Sequence, residues 1–413
     1  MNRLNIYAFR AAYDLATKKF KKEENKKHGS SVAAPVGVCY GRVASNLPPS
    51  SEVVNLIRSN GISRIRLFNA DPNGLKPFSG TGIELMIGVP NEILPTLANG
   101  TVSTSLEWLQ TNILSNILPT QIRYLAVGNE VLLKDPFYSP YLVPAILNLY
   151  EALQTLGLSE TIKLSSSHAA SILSSSYPPS SGAFDPNVKP VLLPLLQFLQ
   201  TSGSPLMVNV YPFFSYINNP QYISLDYALF KSSTADIDQN LAYTNTFDAT
   251  VDAFVYAMEK EGFPGIPVVV TETGWPAAGG NAASAENALD YNGNIVKRTV
   301  NNVGTPKRPG TGVEVFLFDL FNENGKNGEE YERQFGIFGV DRTKIIENSD
   351  KNYKADQSIS YDGYFSKEFM SHGESSSVNS GNVRSEMVMT HRSVIFRCRF
   401  DNILGGTFLC RGS

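Results

Sequence analysis

Ile122-Arg123-Tyr124-Leu125-Ala126-Val127-Gly128-Asn129-Glu130 is an apolar run that stops on a carboxylate. A second stretch repeats the pattern: Pro267-Val268-Val269-Val270-Thr271-Glu272-Thr273-Gly274-Trp275-Pro276. Each reads as a strand covered on both faces, as in a parallel sheet, because the apolar residues are continuous rather than alternating. Each ends in Glu followed by small or turn-forming residues. Charged side chains are rarely buried unless paired, so a Glu at the edge of a buried strand needs a chemical reason. Working outward, short apolar runs alternate with helical patterns from Pro35 onward. Strands are expected at 36–39, 64–68, 84–87, 122–127, 161–165, 206–210, 268–271 and 313–318. Helices are expected at 50–61, 105–114, 142–156, 191–200, 247–261 and 285–300, the first opened by Ser50 and closed by Asn60-Gly61. Strands separated by helices predict an α/β chain with a parallel sheet, and eight of them predict a closed (β/α)8 TIM barrel. An open doubly wound sheet is the alternative, but no GxGxxG follows the first strand.

The barrel is expected over residues 35–348 of the 413. Residues 1–34 form a charged segment and 349–413 a polar tail rich in Ser, Gly and Asn. Both are expected to lack order, since such segments bury too little apolar surface to offset the entropy of ordering. Val394-Ile395-Phe396 is an apolar island in that tail with no visible partner, and a closing helix at 351–370 is the other candidate element there. The first ten residues lack the continuous apolar run of a secretory leader.

A net charge of −3 leaves no basic footprint for nucleic acid. No apolar run reaches the ~18 residues of a membrane span. Three Cys without a CxxC pair, and four His without an HExxH pattern, give no expectation of a metal or cofactor. Low charge with 19 Tyr and 23 Phe suits a neutral ligand held by stacking, although ordinary core packing accounts for it equally. A monomer is expected.

In a barrel all strand carboxyl ends meet at one rim, where active sites are built. Glu130 and Glu272 end the fourth and seventh strands and so face each other across it. A retaining glycosidase needs two carboxyls about 5–5.5 Å apart, one to protonate the leaving oxygen and one to attack the sugar. Asn129 can donate to a sugar hydroxyl. Trp275 and Tyr211, each followed by Pro, can offer ring faces to a sugar, with core packing as the alternative for either. After the eighth strand, Glu323 and Lys326 can bind substrate or hold the carboxyl pair by charge. Ser165-Ser166-Ser167-His168 offers a Ser/His hydrolase reading, but no GxSxG elbow accompanies it.

Taken together, these stretches resemble the plant glucan endo-1,3-β-glucosidases of glycoside hydrolase family 17. Val36-Gly37-Val38-Cys39-Tyr40-Gly41, Ile83 to Pro90, Ala126 to Val131, Tyr177-Pro178-Pro179-Ser180, Val208 to Phe214, Thr271 to Pro276 and Phe321-Asn322-Glu323-Asn324 match that family in order. The resemblance implies a (β/α)8 barrel that cleaves internal β-1,3 bonds of glucan with retention, in an extracellular or cell-wall setting. It puts the proton donor at Glu130 and the nucleophile at Glu272. Glu323, Lys326 and Glu332 fall on further charged site positions, and Tyr40, Asn129 and Tyr211 on cleft positions. One departure lies in the second strand, Arg66-Leu67-Phe68-Asn69, where the family commonly has Tyr-Asp. Two other readings are kept: an endohydrolase of mixed 1,3/1,4-β-glucan, and a glucan-binding protein with weak catalysis on the same fold.

Overall fold

The computed structural model describes residues 36–340 and, farther on, the strand segments Val383–Thr390, Ser393–Phe400 and Phe408–Cys410. In the first unit eight strands close into a parallel barrel. They are β1 (Val36–Tyr40), β2 (Arg64–Leu67), β3 (Glu84–Val89), β4 (Ile122–Asn129), β5 (Lys163–Ala169), β6 (Leu206–Asn209), β7 (Val268–Thr273) and β8 (Glu314–Leu317). Neighbours pair in sequence order, and β1 closes the ring on β8 with Val36 opposite Val315.

The eight strands lie where the apolar runs predict them, with one instructive extension. β5 runs on past the expected end at Ser165 through Ser166-Ser167-His168, all fully buried although polar. Small hydroxyls fit the narrow barrel interior, where Ser167 Oγ lies 3.1 Å from Thr271 Oγ1 of β7. Burial also answers the Ser/His hydrolase reading. His168 has neither ring nitrogen hydrogen-bonded, and desolvation pushes it down to about 4, so it is a neutral core residue.

Six long helices wrap the barrel: α1 (Ser50–Ser59), α2 (Val102–Leu109), α3 (Ser139–Thr155), α4 (Lys189–Ser202), α5 (Thr246–Lys260) and α6 (Ala285–Val300). Their ends follow local chemistry. Asn245 accepts from the Asp248 amide to cap α5, and Ser284 accepts from the Asn287 amide to cap α6. α1 buries Val53, Val54 and Ile57 and stops at Asn60, with Gly61 in the left-handed region that ends helices. α2 starts before the expected position and runs into a wide turn at Gln110–Leu114.

Three described strands fall within the tail expected to lack order. Val383–Thr390, Ser393–Phe400 and Phe408–Cys410 form a three-stranded antiparallel sheet, a unit by itself. Val394, Ile395 and Phe396 find register partners in Met389, Val388 and Met387. The partner was overlooked in sequence, although Met387-Val388-Met389 is itself a short apolar run. The N-terminal segment 1–34 and the closing helix at 351–370 lie outside the described residues.

Candidate active site

At the carboxyl rim lies an open cleft of about 820 Å³. Tyr40, Asn129, Glu130, Tyr211, Glu272, Glu323, Lys326 and Glu332 all line it, so eight of the nine residues singled out from sequence come together. Trp275 does not. It is fully buried, its Nε1 donates to the Ala282 carbonyl at 2.8 Å, and its ring packs on Phe213 and Tyr291. Its role is core packing. The aromatic walls are instead Phe68, Phe214, Phe318, Tyr331 and Phe335.

Glu130 follows β4 in a left-handed backbone conformation, φ 53°, which few non-glycine residues adopt. Such strain costs about 1–3 kcal/mol and persists where surrounding contacts dictate it. Here Gly128, also at positive φ, lets the chain turn under Val131, and the Glu130 amide donates to Ser167 O at 2.7 Å. The carboxyl is held at both oxygens. Asn209 Nδ2 donates to Oε1 at 2.9 Å, and Lys134 Nζ pairs with Oε2 at 2.5 Å.

Glu272 sits in β7 and is 7% exposed. Arg66 NH1 meets its Oε1 at 2.7 Å and Tyr211 OH donates to its Oε2 at 2.8 Å. Burial pushes this carboxyl above the ordinary range, Arg66 pulls it back, and Glu130 pushes it up again. The net direction is upward, as for a carboxyl in a dry site beside a like charge. Burial and the Glu272 charge raise the Tyr211 phenol well above its usual value, which keeps it a donor.

Arg66 was missed in the sequence reading, yet it organises the site. It is 1% exposed, and besides Glu272 it donates to Thr271 O at 3.0 Å and to Asn129 Oδ1 at 2.8 Å. The guanidinium lies 4.4 Å from the Phe68 ring centroid. The signal was present: Arg64 and Arg66 alternate in a buried strand, and the demand for a partner made of Glu272 applies equally to Arg66. Asn209 and Lys134 were missed as well. Asn209 lay inside the run 206–210, read only for its apolar residues, and Lys134 had no marker beyond its i,i+4 spacing from Glu130.

After β8 the chain returns to the rim. Glu323 Oε1 accepts from the Val43 amide at 2.8 Å, and Lys326 Nζ meets Glu323 Oε2 at 2.8 Å. Lys326 also lies 4.1 Å from the Phe318 ring centroid. Asp319 stands behind them, buried, accepting from the Gly41 amide at 3.0 Å. Burial, and then the Glu323 charge, push the Asp319 carboxyl well above its usual range. A Cβ at Gly41 would fall 2.3 Å from Glu323 Oε1 and 2.5 Å from Asp319 Oδ2, so only glycine fits between these groups.

Among the described residues, no cluster of three or more His, Cys, Asp or Glu is placed to hold a metal ion, and no helix is long and apolar enough to cross a membrane.

Comparison with known proteins joins this geometry to a family. Residues 36–347 match the family described as glycosyl hydrolases family 17. A glucan endo-1,3-beta-glucosidase, acidic isoform, of Zea mays is 45% identical over 75% of the chain and 90% of its own length. Glucan endo-1,3-beta-glucosidase 13 of Arabidopsis thaliana is 44% identical over 76% of the chain, which spans only 63% of that relative. Among solved structures, a beta-1,3-glucanase and allergen of Cryptomeria japonica pollen superposes with a TM-score of 0.73 at 44% identity, over 75% of the chain and 97% of its own. Another, from work on two plant beta-glucan endohydrolases with distinct substrate specificities, gives 0.68 at 38% identity, over 74% and 96%. A match that runs the length of the barrel, with relatives this similar, establishes that the chain belongs to glycosyl hydrolases family 17.

Proposed function

We propose that the cleft hydrolyses internal β-1,3-glucosidic bonds of glucan with retention, Glu272 acting as nucleophile and Glu130 as acid and then base. The observation that carries this reading is the contrast between the partners of two carboxyls in one cleft. Glu272 is buried and fixed at both oxygens, with a cation at one of them. Glu130 is fixed at one oxygen by Asn209, while the other is held by Lys134, whose side chain is 65% exposed and free to swing away. The first set of partners suits a rigid, ionised nucleophile. The second suits a group that gains and loses a proton.

In the first step a Glu272 oxygen attacks the anomeric carbon while Glu130 gives its proton to the departing glycosidic oxygen. The bond to the leaving sugar breaks as the glycosyl ester to Glu272 forms. In the second step Glu130 takes a proton from water, whose oxygen attacks the same carbon and releases Glu272. Tyr211 steadies Glu272, and Asn129, oriented by Arg66, is placed to bond a sugar hydroxyl. Tyr40, Phe68 and Phe318 give the cleft apolar walls for sugar ring faces, and Glu323, Lys326 and Glu332 give it polar groups for hydroxyls.

The choice of β-1,3-glucan rests on the relatives, whose names carry that activity. Such a substrate implies work outside the plasma membrane. Proton NMR of the first products released from laminarin tests the mechanism: the β-anomer should appear first, and an α-anomer would reject double displacement. Reducing-end release on laminarin, mixed 1,3/1,4-β-glucan and carboxymethyl cellulose tests the linkage. Faster release from mixed glucan would shift the substrate, and binding without release would leave a lectin-like protein.

A further inference from the structure

Asn209 lies between the two carboxyls and is itself 2% exposed, on β6. Its Nδ2 donates to Glu130 Oε1 at 2.9 Å. Its Oδ1 faces Thr271 Oγ1 at 2.8 Å and Arg66 NH1 at 3.4 Å. The amide therefore has one orientation. Turned over, it would aim its NH2 at the Arg66 guanidinium, donor against donor, and its oxygen at a carboxylate oxygen. Arg66 is in turn locked by Glu272, Thr271 O and Asn129. A chain of bonds thus runs from one carboxyl, through Arg66 and Asn209, to the other.

This orientation has a chemical consequence. Glu130 Oε1 always accepts from Asn209, so it is a poor seat for a proton. The proton that a general acid carries must then sit on Oε2, which takes it once the exposed Lys134, paired with it here at 2.5 Å, has swung away. We propose that Asn209 is a positioning residue that selects Oε2 of Glu130 as the proton-carrying oxygen and steadies the carboxylate left once the proton has gone. This inference rests on the assignment of Glu130 as the acid.

A hydrogen bond of this kind matters most when the leaving group needs a proton, and little when it does not. That gives a readout that mere loss of packing would not move. The experiment measures kcat/KM, which reports the first bond-breaking step, on a laminari-oligosaccharide and on a dinitrophenyl laminarioside. For Asn209→Ala the loss should be about 30-fold on the oligosaccharide, as for a charge-assisted hydrogen bond. The loss should be at least about fivefold smaller on the activated substrate. Thr271→Val keeps the side-chain shape and removes only the hydroxyl that faces Oδ1, so it should repeat the same selectivity at about threefold. It also serves if Asn209→Ala does not fold. Equal losses on both substrates, or no loss, would overturn the proposal. Glu130→Ala run alongside separates the levels. If it too lacks leaving-group selectivity, the acid assignment fails. If it is selective and the Asn209 and Thr271 variants are not, only the role of Asn209 fails.

Discussion

Arg66→Met removes the cation from the centre of the site and leaves a side chain of similar length. The pair it breaks is buried, with side-chain exposures of 2% for Arg66 and 10% for Glu272. Removing one member of such a pair typically costs about 3–5 kcal/mol, because the other charge stays buried and uncompensated. Glu272 has an escape, which is to bind a proton. Burial already pushes its carboxyl above the ordinary range, and Arg66 is the largest influence opposing that. Without Arg66, only Tyr211 and Lys326 oppose burial and the Glu130 charge, so the carboxyl moves further up. A carboxyl raised in the folded state adds stability below its unfolded value of about 4 and loses it as pH rises through the folded value. The variant should therefore melt close to the native protein near pH 4 and fall progressively behind toward pH 8. At the upper end a loss of about 3 kcal/mol corresponds to about 6 °C for a domain of this size. On the proposed assignment of Glu272 as nucleophile, which must be ionised, activity follows the same titration, and the acid limb of kcat/KM on laminarin should move to higher pH. Thermal melts and rate profiles across pH 4–8 check both. A melting gap that does not change with pH, with the acid limb in place, would refute the idea that Arg66 acts by holding Glu272 ionised.

Glu272→Ala should abolish turnover of laminarin, with partial rescue by azide attacking the anomeric carbon from the vacated face. Glu130→Ala should keep cleavage of activated aryl glycosides, whose leaving group needs no proton, so swapped behaviour would reverse the two roles. Tyr211→Phe removes the 2.8 Å bond to Glu272 Oε2 but keeps the ring against Phe214, Phe318 and Phe335, so kcat should fall about tenfold with little change in Tm. Trp275→Phe loses the bond to Ala282 O and part of the packing on Phe213 and Tyr291, about 1–3 kcal/mol, and should lower Tm while leaving KM for laminarin unchanged. A rise in KM at native-like stability would return Trp275 to the binding surface.

What could be read from the sequence, and what could not, follows from how burial leaves its mark. A strand covered on both faces must be apolar almost throughout, so β4 and β7 announce themselves, and a carboxylate at the end of each marks where the barrel opens. The interior of the barrel follows a different rule. There the packing partner is another strand's small or polar side chain, and Ser167 and Thr271 meet in that way without an apolar signature. That is why the expected fifth strand stopped at Ser165. The same blindness hid Arg66 and Asn209, which are interior residues tied to partners 206 and 79 positions away. Trp275 failed for the opposite reason. Its place after a strand end suggested the rim, but its Nε1 found a carbonyl only seven residues on, which let the whole ring turn into the core. Reading strand ends locates the carboxyls. Deciding which is nucleophile and which is acid takes their partners, and those partners are long-range contacts that only the closed barrel brings together.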